Sequence, residues 1–214
     1  MSDNLQDQPL PYNADAAQSE LAQRDPSLAA IIQEVGPLTL RLRDTQDPFL
    51  GLLRAIVYQQ LSGRAAGTIH GRVKALFAEH HPTPQALLAL PEAQLRGAGL
   101  SAAKTAAARD LAQKTVAGVV PSGPALESLD NDAIIERLTT IRGIGRWTVE
   151  MLLIFNLGRA DILPTNDLGI RKGFMVTYNT DALPKPAALR EHGQQWAPWR
   201  SVASWYLWRA AALR

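Results

Sequence analysis

The chain has 214 residues, is 46% hydrophobic and carries a formal charge of +2, with an isoelectric point near 9.1. That is enough apolar material for one or two small domains with a real core, and a mildly basic balance that suits an anionic partner without proving one. The absence of cysteine excludes disulfides, thiolate zinc sites and iron–sulfur clusters, and His70, His80, His81 and His192 lack paired metal-ligand spacing.

Residues 1–24 read as a loose polar tail with room for a short helix over 16–24. Pro26 to Val35 predicts a helix, ended by Gly36-Pro37. Asp47-Pro48 joins an N-cap carboxylate to a first-turn proline and opens an apolar run at helical spacing through Val57. Leu61-Ser62-Gly63 breaks it, and a further helix runs through Ala65, Ile69, Val73 and Phe77. Short helices follow over 82–90 and from Pro91. Gly97-Ala98-Gly99 is a glycine turn that feeds an alanine-rich helix to Leu111, and 119–124 is a linker. Asp132 opens a helix that ends near Ile141, and Trp147-Thr148-Val149 opens the next. The last helical block runs from Pro198 to the end, with Trp205 and Trp208 read as core. No β-alternation persists and no repeat is present. No apolar run reaches membrane length and no signal-type segment opens the chain, so a soluble cytoplasmic protein is expected. The expected fold is all-α, in two helical lobes with a cleft between them. One lobe takes 25–47 and 116–214, and the other takes 48–115.

Ile141-Arg142-Gly143-Ile144-Gly145 stands between two apolar helical segments. Gly143 and Gly145 allow the positive φ and close approach of a tight turn. The helix that follows aims its unsatisfied N–H groups and positive dipole end beyond the turn, and Thr148 offers a hydroxyl. Such a turn can hold a phosphate without reading a base. It is also the form of an ordinary helical hairpin. Twenty-two residues after Gly145 stands Asp167, in Leu163-Pro164-Thr165-Asn166-Asp167. A carboxylate repels phosphate, so its place near such a turn makes sense where a bound nucleic acid meets a negative charge needed for chemistry. Asp167 equally fits the N-cap of a helix that begins at Leu168. The two roles are compatible.

Leu138-x-x-Ile-x-Gly-Ile-Gly-x-Trp-Thr148 followed by Leu163-Pro-Thr-Asn-Asp-Leu-Gly-Ile170 resembles the helix-hairpin-helix superfamily of DNA glycosylases. Arg54-Ala-Ile-Val-Tyr-Gln-Gln-Leu-Ser62, Gly97-x-Gly-Leu-Ser-x-x-Lys104 and Trp196-Ala-Pro-Trp-Arg-Ser201 extend the resemblance to the alkylation-repair branch, that of 3-methyladenine DNA glycosylase II, over roughly residues 26–210. Some bacterial members carry an N-terminal β-domain. Only about 47 residues precede the first core helix here, so that domain is expected to be absent or vestigial.

The resemblance implies a partner, double-stranded DNA with alkylated bases, and a reaction. The damaged base leaves the duplex before it is cut. Asp167 would stabilise the cation that develops on the sugar and position a water, with Asn166 orienting it. Strand-nicking members carry a lysine where this chain has Trp147, so the implied enzyme is monofunctional and leaves an abasic site. Trp147, Trp199 and Met151 take the positions that line the base pocket. An indole attracts a cationic base by about 1–2 kcal/mol when desolvated. Met151 stands where much of the bacterial branch has an aromatic, which leaves pocket shape and base range open. Gln60, with Gln59 beside it, takes the place of the wedge that fills the gap. The carbonyls of Thr139, Ile141 and Ile144 match positions that bind a sodium or potassium ion, and Arg146, Arg171 and Lys172 would attract phosphates. No cofactor is required and a monomer is expected. Two rivals stay open: a non-enzymatic DNA-binding protein built on the same hairpin, and a glycosylase for other damaged or mismatched bases.

Overall fold

Short polar side chains start the helices of this protein. In the computed structural model, which describes residues 9–43 and 47–213, Asn13, Asp25, Asp47, Ser62, Thr83, Ser101, Asp130 and Asp167 each accept a hydrogen bond from a backbone amide two or three residues ahead. Each such cap satisfies an amide that the helix cannot, and contributes about 1 kcal/mol. Among the described residues the regular structure is all helical, as expected. No helix among them is long and apolar enough to cross a membrane. The expectations that fall on 1–8 and 44–46 lie outside the described residues.

The chain divides into two compact units, one from residues up to 43 together with those from Leu153 onward, the other from 47 to Leu152. The first unit holds α1 (Ala14–Arg24), α2 (Pro26–Val35), α11 (Leu168–Tyr178), α12 (Pro186–His192) and α13 (Arg200–Ala210). The second holds α3 (Pro48–Tyr58), α4 (Gly63–Lys74), α5 (Pro84–Ala89), α6 (Glu92–Gly97), α7 (Ala102–Val116), α8 (Gly123–Ser128), α9 (Asn131–Thr139) and most of α10 (Arg146–Phe155).

In the first unit α13 packs on α1, α2 and α11 around the fully buried Leu21, Leu28, Trp196 and Tyr206. α11 comes so close that a Cβ at Gly173 would stand 1.8 Å from the Leu207 carbonyl oxygen, so only glycine fits. Asp25, between α1 and α2, ties this unit together. Its Oδ1 caps α2 through the Leu28 amide at 3.0 Å. Its Oδ2 accepts from the Tyr178 hydroxyl at 2.5 Å and the Trp196 indole at 2.8 Å. Burial alone would raise this carboxyl's pKa, but the bonds from Tyr178, Trp196 and Leu28 outweigh it and hold the pKa below its ordinary value.

Two expected boundaries need correction. Residues 14–24 are not loose tail but α1, with Ala17 and Leu21 buried. Gln18 Oε1 in this helix accepts from the Leu38 amide and the Tyr206 hydroxyl. Residues 116–152, expected in the lobe with Asp167, fold instead with 47–115. The cause is a set of polar ties to the hairpin. Asp110 Oδ2 accepts the Arg142 amide at 2.7 Å, Gln59 Nε2 donates to the Gly143 carbonyl at 2.8 Å, and Lys114 Nζ donates to the Thr140 carbonyl.

In the second unit α3 buries Phe49, Leu52, Leu53, Ile56 and Val57 and packs on α4 and α7. Where α3 meets α4, the Arg54 guanidinium lies 3.9 Å over the Tyr58 ring and His70 meets that ring edge-on at 6.0 Å. Burial first, then the charges of Arg54 and Lys74, pushes the His70 pKa down to about 4. The folded state therefore favours neutral His70. Its contribution is complete above the unfolded pKa of about 6.5 and is lost as pH falls from there towards 4. Discounted for partial exposure, wild type should lose about 1 kcal/mol more stability than His70→Gln between pH 7.5 and 5.5. Urea melts of both proteins at the two pH values check this, and parallel losses would refute it.

Candidate functional site

The hairpin is built by one left-handed glycine. Gly143 has φ +76°, and a Cβ there would also touch Ala107 Cβ at 3.4 Å. Ile144 N donates back to the Ile141 carbonyl at 3.0 Å, which closes the turn, and Ile141 and Ile144 bury their side chains. Gly145 needs no left-handed conformation, and no atom lies within 4 Å of a Cβ built on it. The expectation that both glycines serve a positive φ is corrected to Gly143 alone. The Gly145 carbonyl accepts from the amides of Thr148 at 2.9 Å and Val149 at 3.2 Å, so Gly145 caps α10. Its open surroundings leave room for a ligand to approach the helix end. Thr148 is buried rather than presenting a hydroxyl at the surface.

The basic residues expected around the hairpin differ in commitment. Arg146 Nε donates to Glu150 at 2.9 Å and its Nη2 reaches Asp132 at 3.3 Å. Arg171 Nε donates to the Pro184 carbonyl at 2.9 Å, and Lys172 is exposed. Thr139 ends α9, and the next carbonyl, that of Thr140, accepts the Lys114 ammonium. Of the three carbonyls expected to bind an ion, that of Ile141 accepts the Ile144 amide at 3.0 Å.

In the same unit the chain leaves α3 through Gln59 and Gln60. Gln60 is exposed with φ +56°, the left-handed region that a non-glycine residue seldom takes. Leu61 beside it is 39% exposed. On α10, Trp147 is 50% exposed and Met151 is partly buried.

The first unit carries Asp167. Its Oδ1 accepts from the Ile170 amide and from the Trp208 indole Nε1, both at 2.9 Å. Asp167 is thus the N-cap of α11, as the sequence allows, and is also gripped by a tryptophan. A Cβ at Gly169 would lie 2.8 Å from Trp208 Cδ1 and 3.1 Å from Asp167 Oδ1, so a glycine makes room for that grip. Phe155 stands 5.6 Å from the Trp208 ring, with the Arg43 guanidinium 5.3 Å over Phe155. Trp208 was expected in the core with Trp205. Trp205 is buried, but Trp208 is only partly so and belongs to Asp167. The signal that would have found it is the pair Gly169 and Gly173, one turn apart directly after Asp167. Trp199, expected in the base pocket, donates its indole N–H to Glu20 at 2.9 Å and lies 5.7 Å from the Tyr12 ring. The Arg200-Ser201 part of its motif is occupied with packing. Arg200 forks onto Asp161 at 2.5 and 2.8 Å, and Ser201 Oγ accepts the Ile162 amide at 3.0 Å.

The model of the HhH-GPD superfamily of base excision DNA repair proteins matches residues 53–198, more than half of the chain. The chain belongs to this superfamily. DNA-3-methyladenine glycosylase 1 of Schizosaccharomyces pombe is 38% identical over 174 residues, which are 81% of this chain and 76% of that protein. Among solved structures of the superfamily, the DNA-3-methyladenine glycosidase of Bacillus halodurans is similar at a TM-score of 0.85 with 34% identity, over 94% of this chain and 91% of that one. The S. pombe 3-methyladenine DNA glycosylase Mag1 in complex with abasic DNA is similar at 0.77 with 36% identity, over 91% and 95%.

The two hairpin glycines should separate on substitution. Gly143→Ala forces an alanine into the left-handed region and should lower stability by about 1–2 kcal/mol. Gly145→Ala should leave the melting temperature unchanged yet weaken binding to undamaged duplex, because a methyl would then stand where a phosphate approaches the helix end. Thermal melts and duplex titrations of both variants decide it. A Gly145→Ala protein that binds duplex like wild type would show that no phosphate comes there.

Proposed function

We propose that this protein is a monofunctional DNA glycosylase that flips alkylated bases of the 3-methyladenine type out of duplex DNA, hydrolyses their N-glycosidic bond and leaves an abasic site. The observation that carries the reading is Asp167, whose Oδ1 is fixed by the Ile170 amide and the Trp208 indole. Breaking the bond from sugar to base develops positive charge on the sugar. A carboxylate already oriented by two donors stabilises that charge with no reorganisation at the moment of reaction. The same carboxylate can align a water to attack the sugar carbon as the base departs with the bonding electrons. An alkylated base is itself cationic and leaves as a neutral molecule, so the site has no need of a general acid.

The superfamily relatives named for 3-methyladenine support the substrate class, and the abasic DNA bound to Mag1 is the product this reaction leaves. The position after Gly145-Arg146 holds Trp147, an indole with no amine to form a Schiff base. Its exposed ring, with Met151 one turn on, would offer a stacking surface to a flipped cationic base, and Trp199 is proposed to line the base pocket as well. The hairpin from Ile141 to Gly145 would hold a backbone phosphate, with Arg146 adding charge, and Arg171 and Lys172 of the first unit would attract phosphates of the same duplex. Gln60 and Gln59 would fill the space the base vacates. A sodium or potassium ion on the carbonyls of Thr139, Ile141 and Ile144 would, when bound, neutralise a phosphate. The enzyme would work as a monomer. A purely DNA-binding protein would have no use for a carboxylate held by a tryptophan N–H.

Asp167→Asn should keep duplex affinity and lose about 100-fold or more in single-turnover release of 3-methyladenine. Release near the wild-type rate would overturn the assignment. Trp208→Phe keeps a ring but removes the N–H, and should slow release while duplex binding stands. Product DNA should break only after alkali or heat. A covalent adduct trapped with borohydride would overturn the monofunctional reading.

A further inference from the structure

One face of α7 reaches both irregular turns of the second unit, the one after α3 and the hairpin before α10. Lys104, Ala107, Asp110 and Lys114 recur at intervals of three and four residues, which places them in one row along the helix. Lys114 holds the Thr140 carbonyl, Asp110 the Arg142 amide, and Ala107 backs Gly143. At the head of the row, Lys104 Nζ donates to the carbonyls of Val57 and Gln59, both at 2.7 Å. These carbonyls lie where α3 ends and its own amides can no longer reach. A cation there also complements the negative end of the helix dipole. The next residue is Gln60 in its left-handed conformation, which persists only where the surroundings fix it. Gln59 turns its side chain the other way and donates to the Gly143 carbonyl at 2.8 Å. The row therefore grips the turn before Gln60 from one side and the phosphate hairpin from the other.

We propose that Lys104 is a positioning residue for base flipping: it holds Gln60 in the conformation that presents its side chain to the duplex and, through Gln59, locks that turn to the hairpin. The inference rests on the reading of Gln60 as the wedge. A wedge does work on a duplex only if it is braced against the strand it displaces. The bonds from Lys104 and Gln59 supply that brace, because the hairpin that holds the backbone and the turn that enters the stack move as one body. Without the ammonium, the last carbonyls of α3 take water instead and Gln60 relaxes out of the left-handed region.

The test compares Lys104→Met and Gln60→Ala with wild type, after circular dichroism and thermal melting. Two substrates carry the same methylated purine, one in a fully paired duplex and one opposite an abasic analogue, where no partner base is orphaned. Flipping is followed by the fluorescence of 2-aminopurine beside the lesion, and release by single-turnover excision. Lys104→Met should slow flipping and release on the paired substrate by about tenfold, the effect of losing hydrogen bonds to a charged group. It should bind undamaged duplex like wild type and recover most of the loss on the substrate that lacks a partner base. Equal slowing on both substrates would make Lys104 a general structural residue and overturn the proposal. So would wild-type flipping by Lys104→Met where Gln60→Ala is slow. Unchanged flipping by Gln60→Ala would overturn the wedge reading itself, and the proposal with it. If Lys104→Met does not fold, Lys104→Leu, which also removes the donor, carries the same comparison with the same outcomes.

Discussion

The approach of α11 to α13 is the constraint on which the candidate chemistry depends. With the Leu207 carbonyl lying where a side chain at 173 would begin, the two helices meet backbone to backbone. That contact fixes how far Trp208, one residue on from Leu207, projects towards the start of α11. The start of α11 is Asp167. Gly169 removes the last obstruction, and the indole N–H arrives on the carboxylate. The same oxygen takes the Ile170 amide, one of the unsatisfied donors in the first turn of the helix. One acidic side chain therefore stabilises a helix terminus and is held in a single orientation by the same bonds. Asp25 shows the same device used for stability alone, with a cap on one oxygen and two aromatic donors on the other.

The second unit solves a different problem, that of holding irregular backbone still. The turn after α3 and the hairpin before α10 both lack regular hydrogen bonding, and both contain a residue in the left-handed region. Neither is stiff by itself. A single well-capped helix, α7, supplies donors and acceptors to both, through side chains that stand on one row. This arrangement explains why residues 116–152 join 47–115. The glycine turn is short of internal bonds and takes them from the helix beside it.

Local signals were readable from the sequence. The Asp-Pro start of α3, the left-handed Gly143 of the hairpin and the cap at Asp167 all depend on residues within four positions of one another, and all stand where expected. The all-helical fold followed from helical spacing without β-alternation, and the superfamily from the hairpin and the Asp167 segment with the motifs around them. What was not readable depends on distance along the chain or on weak pattern. α1 buries only Ala17 and Leu21 in an otherwise polar stretch, so its periodicity is slight. Trp208 reaches Asp167 across 41 residues, and nothing near Trp208 distinguishes it from its buried neighbour Trp205. Gly145 looked like Gly143 because a sequence shows that a residue is glycine, not what its φ is. Trp199 donates to Glu20 in α1, a helix that the polar segment barely announced.

The grip of Trp208 on Asp167 also gives the site a direction. An indole nitrogen donates a hydrogen bond and never accepts one. With that N–H and the Ile170 amide both aimed at Oδ1, a proton placed on Oδ1 would face two others. The carboxylate can receive hydrogen bonds on that side but cannot pass a proton through it, either to the helix or to the tryptophan. A water aligned by Asp167 would therefore not leave its proton on Oδ1. Wiring of this kind on Oδ1 is poorly built to run a proton relay inwards through that oxygen.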